Sequence, residues 1–237
     1  MKIRFLLVSA IFAVSLGSHS VEAAAFTGTF SFTGTTGNVA SFAYNGSPIS
    51  NVAVGNLVKV GVTTSSSTSN SRATDWSTGA VSGSDTFSGT INTGKYFEFS
   101  LTADSGYTLD LTSISFGIGR SATGPRQWEW RSSTDSFVST IGSYSATSSG
   151  FISTTGGVLT NPDANSSWSG NVLDLSGSEF SALTTITFRL YGYNSEATAG
   201  TGGLQGNLSF AGDVIPEPGA ALLGGLGLLG LLRRRRY

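Results

Sequence analysis

Cysteine is absent from this chain, methionine occurs once, and the one histidine is His19, close to the N-terminus. Without cysteine no disulfide framework can hold the fold, so stability rests on a hydrophobic core. Histidine is missing from everything after residue 19, and with cysteine also gone this removes Ser-His-Asp and Cys-His catalysis and the usual zinc ligand sets. Charge is scarce too. Between Phe26 and Ile215 there are seven basic and twelve acidic residues, a net of −5, because six of the thirteen basic residues sit in the end pieces. A sparsely charged, mildly acidic body has no basic stripe with which to displace counterions from phosphates, which argues against a nucleic-acid partner. No glycine motif of the phosphate-binding or dinucleotide type precedes a helical pattern, so the 32 glycines read as turns.

What is present is a set of short alternating runs. In "KYFEFSLT" Phe97, Phe99 and Leu101 share one face, with Tyr96, Glu98 and Ser100 on the other. "TTITFRLYGY" sets Ile186, Phe188 and Leu190 against Thr187, Arg189 and Tyr191. "LTSISFGIG" aligns Ile114, Phe116 and Ile118 but leaves Leu111 out of step, and "GNLSFAGDV" offers Leu208 and Phe210. Period-2 runs separated by Gly, Asn and Ser turns predict an all-β domain, an antiparallel β-sandwich of jelly-roll-like form. One helical turn is expected in "SGSEFSAL", with Ser178 capping and Phe180 and Leu183 packing inward. "TTSSSTSNS" (63–71) and "NSEATAGTGG" (194–203) read as loops.

Both ends read as processing segments. Lys2 and Arg4, the apolar stretch Phe5 to Leu16 and the small residues around Ala23 and Ala25 compose a secretory signal peptide. This assigns 1–25 to an N-terminal signal helix handled by the Sec export machinery and signal peptidase, with cleavage after Ala23 or Ala25 and Ala25 preferred. At the other end Gly219 to Leu232 is apolar and ~21 Å long as a helix at ~1.5 Å per residue, short against a bilayer core of about 30 Å. It is a marginal transmembrane helix, stopped on the cytoplasmic side by Arg233, Arg234, Arg235 and Arg236. Pro216 and Pro218 bar a helix through the "PEP" between body and membrane, leaving Glu217 extended and accessible.

The order of Pro216, Glu217 and Pro218, a short hydrophobic helix and a terminal arginine cluster resembles the PEP-CTERM sorting signal of Gram-negative bacteria. The resemblance implies recognition by an exosortase, a transient stay in the inner membrane, and delivery to the cell surface or extracellular space. It covers the last 24 residues, 214–237. The body, assigned to 26–213, has "GRSATGPRQWEWRSSTDSF", "FRLYGY" and "TGGLQGNLSF", which look like the sandwich domain of many PEP-CTERM proteins. That likeness implies architecture and brings no activity or cofactor with it.

Within the body the aromatic pair in "RQWEWRSS" is the lead to a ligand. Trp128 and Trp130 fall on one face, with Gln127, Glu129 and Arg131 on the other. Exposed, the two indoles would stack on sugar rings with Arg120 nearby, and buried they would be sandwich core; alternation alone permits either. Trp76 and Trp168 are weaker candidates, and the strict alternation around Trp128 and Trp130 predicts that the two pairs differ in burial. A carboxylate pair for glycoside hydrolysis has Glu98, Glu129, Asp104, Asp110 and Asp135 to draw on, but Glu98 and Glu129 read as surface carboxylates. "NPDANSS" reads as a turn rather than a cation loop, and no metal site is assigned. The expectation is a non-enzymatic exported surface or extracellular-matrix protein that binds polysaccharide or neighbouring proteins; the rivals are a secreted carbohydrate-active enzyme and an adhesin-like structural module.

Overall fold

The structure is a computed structural model and describes residues 22–34 and 39–217. The expected signal helix and membrane helix, together with Pro218 and the four arginines, lie outside the described residues, save that Ala24 and Ala25 are strand. Among the described residues the helical content is three single 3₁₀ turns, and no helix is long and apolar enough to cross a membrane.

Two antiparallel sheets pack face to face as a β-sandwich. The first contains β1 (Ala24–Phe30), β5 (Thr63–Ser65), β6 (Asn70–Thr74), β8 (Tyr107–Arg120), β10 (Tyr144–Ala146), β12 (Ser166–Asp174), β14 (Gly202–Gln205) and β15 (Leu208–Pro216). The second contains β2 (Ser41–Phe42), β3 (Val52–Val54), β4 (Leu57–Val60), β7 (Tyr96–Ala103), β9 (Pro125–Ser132), β11 (Leu159–Thr160) and β13 (Thr185–Ser195). From β7 to β13 consecutive strands alternate between the sheets, so each connection crosses the sandwich rather than closing a hairpin. The long strand β8 is the spine of the first sheet. One of its edges takes β12, and the other takes β15 along its first half and β14 at its end.

The alternating faces meet as the pattern requires. Phe97, Phe99, Leu101, Ile186, Phe188 and Leu190 are buried from the second sheet, and Ile114, Phe116, Ile118, Leu208 and Phe210 from the first. Rings bridge the gap. Phe99 stacks on Phe210 at 5.6 Å, and Phe116 meets Trp130 edge-on at 5.4 Å. Each such side chain removed from water stabilises the fold by roughly 1.5–3 kcal/mol. The misfit of Leu111 has a local cause. Gly212 pairs with Leu111 but Ala211 pairs with Ser113, so Thr112 is an extra residue and parity resets across the bulge, placing Leu109 and Leu111 inward before it and Ile114 onward after it.

The turn in "SGSEFSAL" is a 3₁₀ turn, Ser178–Phe180, whose N-cap is Gly177; Ser178 is not the cap. Phe180 packs into the core and Leu183 against its margin, as expected. Two loop readings shorten: residues 63–65 and 70–71 are strand, Asn194 and Ser195 still belong to β13, and Gly202 and Gly203 already belong to β14. The sheet is also longer at both ends than residues 26–213, running from Ala24 to Pro216.

Candidate functional site

The last strand carries the chain from the core into the tail. Leu208, Phe210, Gly212 and Val214 point inward along β15, and Ile215 and Pro216 continue the strand half-buried. Gly212 is required where the bulge brings backbone close, since a Cβ there would stand 2.4 Å from the Asp110 carbonyl oxygen. On one side β15 pairs with β1 up to Ala24 opposite Val214. On the other it pairs with β8, Ile215 opposite Thr108 and Pro216 opposite Tyr107. One further backbone bond closes the ladder, in which the Glu217 N–H donates to the Gly106 carbonyl at 2.8 Å. Gly106 sits at φ 85° in the turn between β7 and β8, a conformation only glycine adopts without strain. Glu217 itself is exposed.

Residues 214–236 match the PEP-CTERM protein-sorting motif. The tail is an exosortase sorting signal. A chain bearing a PEP-CTERM signal is exported through the membrane toward the cell surface and is processed by an exosortase, so Glu217 stands at the boundary between the fold and its processing segment. No curated protein matches the chain, and no solved structure does.

The tryptophans are core. Trp128 and Trp130 are 0% and 1% exposed, with Trp76 edge-on to Trp128 at 5.2 Å, so neither indole has a face free for a sugar ring. The expected contrast with the other pair also fails, because Trp76 is 0% and Trp168 4% exposed. Trp168 stacks on Phe151 and donates from Nε1 to the Gly150 carbonyl at 3.1 Å. Strand alternation located the inward face of β9 correctly, and rings from the opposing sheet and from the loop after β6 fill it.

Arg120 is likewise occupied by its own chain. It ends β8 fully buried, donating to the carbonyls of Gly124, Pro162, Ala164 and Ala122 and pairing with Glu196 at 2.6 Å. Asp163 lies 3.7 Å away, and the Gly83 N–H bound to it, together with the nearby arginines, holds its carboxyl below the usual range. The segment "NPDANSS" does direct carbonyls and a carboxylate at a cation, and that cation is the Arg120 guanidinium. Across the β8–β9 arch Arg126, also fully buried, binds the Ser84 carbonyl and the Asp85 carboxylate. The two arginines tie together four loops, those after β6, β8, β11 and β13.

The outward face of the second sheet carries the remaining candidates. Glu98 pairs with Arg189 at 2.6 Å and remains half-exposed, as a surface carboxylate should. Glu129 departs from that expectation, being buried. It accepts from Arg131 at 2.7 Å, Thr140 at 2.9 Å and the Tyr193 hydroxyl at 2.9 Å. Burial and the neighbouring negative charge push the Tyr193 phenol well up. The cover is the segment after β9, whose Thr140 and Phe137 fold back over the face, Phe137 lying 3.7 Å from the Arg189 guanidinium. On its other side that guanidinium lies over Tyr96 at 4.2 Å. Asp110 accepts from the Ala182 N–H at 2.7 Å, and Asp135 accepts from the Val138 and Ser139 N–H groups. Asp104 lies in the turn before β8, where its carbonyl accepts from the Tyr107 N–H at 3.1 Å. Missed from sequence were Gly106 and Tyr107, which hold the tail, and Arg126 with Asp85. The Gly-Tyr pair gives no signal except a turn, because its partner lies more than a hundred residues away.

Proposed function

We propose that the chain is exported by way of its signal peptide, held briefly in the inner membrane by its C-terminal run, and passed by an exosortase to the cell surface or extracellular matrix, where the sandwich serves as a non-enzymatic module that binds polysaccharide. The observation that carries this reading is the sorting motif over 214–236, continuous with a well-packed β-sandwich. Support for a non-enzymatic body comes from its carboxylates, since Glu98 and Glu129 are each held by an arginine and Asp110 and Asp135 are engaged by backbone N–H groups. A general acid or nucleophile needs a carboxyl free to meet substrate. For polysaccharide, the face to test is the outside of the second sheet, where the half-buried Tyr96 and Phe137 flank Arg189 among polar neighbours.

The test is a co-sedimentation screen of residues 24–217 on insoluble and gel-immobilised polysaccharides, with product analysis of the same samples. Retention that falls in Tyr96→Ala and Phe137→Ala, without release of sugar fragments, is expected. Fragment release would point to the enzyme, and no retention on any polymer would point to a module whose partner is protein.

A further inference from the structure

The processing motif is not joined to the body by a linker. Its first residues are part of the sheet, with Val214 buried between β1 and β8, Ile215 and Pro216 in register with Thr108 and Tyr107, and the Glu217 N–H bonded to the Gly106 carbonyl. A second relationship points the same way. Because β1 and β15 are antiparallel neighbours, Ala24 at the start of the first and Val214 near the end of the second are partners, so both ends of the body leave the first sheet at the same end of its strands.

We propose that Gly106, Tyr107 and Thr108 form an intramolecular docking site for the sorting motif, and that exosortase acts on Glu217 and its neighbours only after Ile215–Glu217 have been released from this edge of β8. This inference rests on the exosortase reading above. A membrane-embedded enzyme reads its substrate as extended chain, and chain paired to a sheet cannot enter another protein's cleft without first leaving the sheet. The release is local. Among the described residues the strand beyond Val214 is held only from the β8 side, Pro216 has no N–H to contribute, and the ladder ends in a single bond to Gly106. Such a strand end opens far more easily than the core from which it emerges. Docking therefore links processing to folding: a folded body presents its motif at a fixed place beside the membrane, at a rate set by fraying of three residues.

Two variants move the latch in opposite directions while leaving residues 214–237 contiguous. Inserting six Gly/Ser residues after Asp213 frees the motif from the sheet. Thr108→Cys with Ile215→Cys joins the two register partners by a disulfide that has no competitor, the chain having no other cysteine. In a host with an exosortase, pulse-chase of the full chain is expected to show the insertion processed roughly fivefold faster or more, the scale of one net backbone hydrogen bond. The oxidised double variant should be slowed at least as much relative to the same double variant kept reduced. Exosortase-dependent processing at one rate in all these chains overturns the latch alone. Processing that persists in a host without exosortase overturns the sorting reading and the latch together. Hydrogen exchange on the full chain in detergent gives an independent measure: the Glu217 amide should be protected, and exchange at the rate of an unfolded peptide would overturn the docking site.

Discussion

Trp128 and Trp76 lie edge to face with centroids 5.2 Å apart, one contributed by β9 and the other by the loop after β6, and together they close one end of the inter-sheet core. The contact explains why a tryptophan that alternates like a sugar platform offers none. Its face is taken by a ring 52 residues earlier in the chain. It also separates the two indoles chemically, because Trp76 donates from Nε1 to the carbonyls of Ala73 at 2.9 Å and Gly202 at 3.3 Å, whereas Trp128 and Trp130 meet no acceptor among the described residues.

Truncation of Trp128 or Trp130 to Ala should therefore cost ~3–5 kcal/mol each by urea unfolding, with no specific loss of polysaccharide retention in whatever fraction stays folded. Replacement by Phe sharpens the test. Trp76→Phe should cost about 0.5–1.5 kcal/mol more than Trp130→Phe, the worth of the bond that only Trp76 makes. Equal costs would show that the Trp76 bonds contribute nothing net.

Arg120 is expected to behave as a structural cation. Arg120→Met leaves Glu196 buried without its partner and should destabilise by about 3–5 kcal/mol. Arg120→Lys should recover little, because one ammonium cannot serve carbonyls and carboxylates spread around a planar guanidinium. Thermal melts of the three proteins check this, and a fully stable Lys variant would contradict the cage.

Lys59 gives the fold a pH signature. Its ammonium crosses from β4 to the Arg72 carbonyl at 2.8 Å with the Phe97 ring at 5.7 Å, and burial lowers its pKa from 10.5 to about 8. Between those two values the unfolded chain binds the proton more readily than the folded one, so this group makes stability rise with pH across that window and flat below it. The buried Tyr144 and Tyr193 act oppositely. Their phenols are pushed up, chiefly by burial, so stability falls once pH passes the ordinary tyrosine value of 10.0. Denaturation midpoints should climb above pH 8, turn over near 10, and lose the climb in Lys59→Met.

Glu217→Ala should leave export and membrane insertion intact yet block processing, so that full-length chain accumulates in the membrane fraction. Arg233→Ser, Arg234→Ser, Arg235→Ser and Arg236→Ser combined should instead disturb retention and orientation, since in the proposed route these charges hold the cytoplasmic end of a marginal span. Fractionation with an antibody to the body distinguishes the two outcomes. Unchanged release from the Glu217 variant would remove the motif from its role.

The sequence by itself determined the class of the fold, the inward faces of β7, β9, β13 and most of β8, and the nature of the tail. These are local properties: strand parity is written in residues two apart, and the sorting signal in the order of three contiguous features. Leu111 stood out of step in the alternation, and the bulge at Thr112 that explains it appears only in the strand register. What only the tertiary structure decided is whether each face is covered and by what. Glu129 alternates outward as Glu98 does, but the segment carrying Phe137 and Thr140 folds over one and leaves the other half-exposed. Arg120 has the same charge whether it meets a ligand or the carbonyls of residues 162 and 164, and those arrive from a loop some forty residues on. Pro216 and Glu217 read as free chain until Gly106 and Tyr107 are brought beside them from across the sheet. Alternation specifies a direction relative to the strand, whereas burial depends on which distant segment arrives there, and that is settled only when the two sheets close.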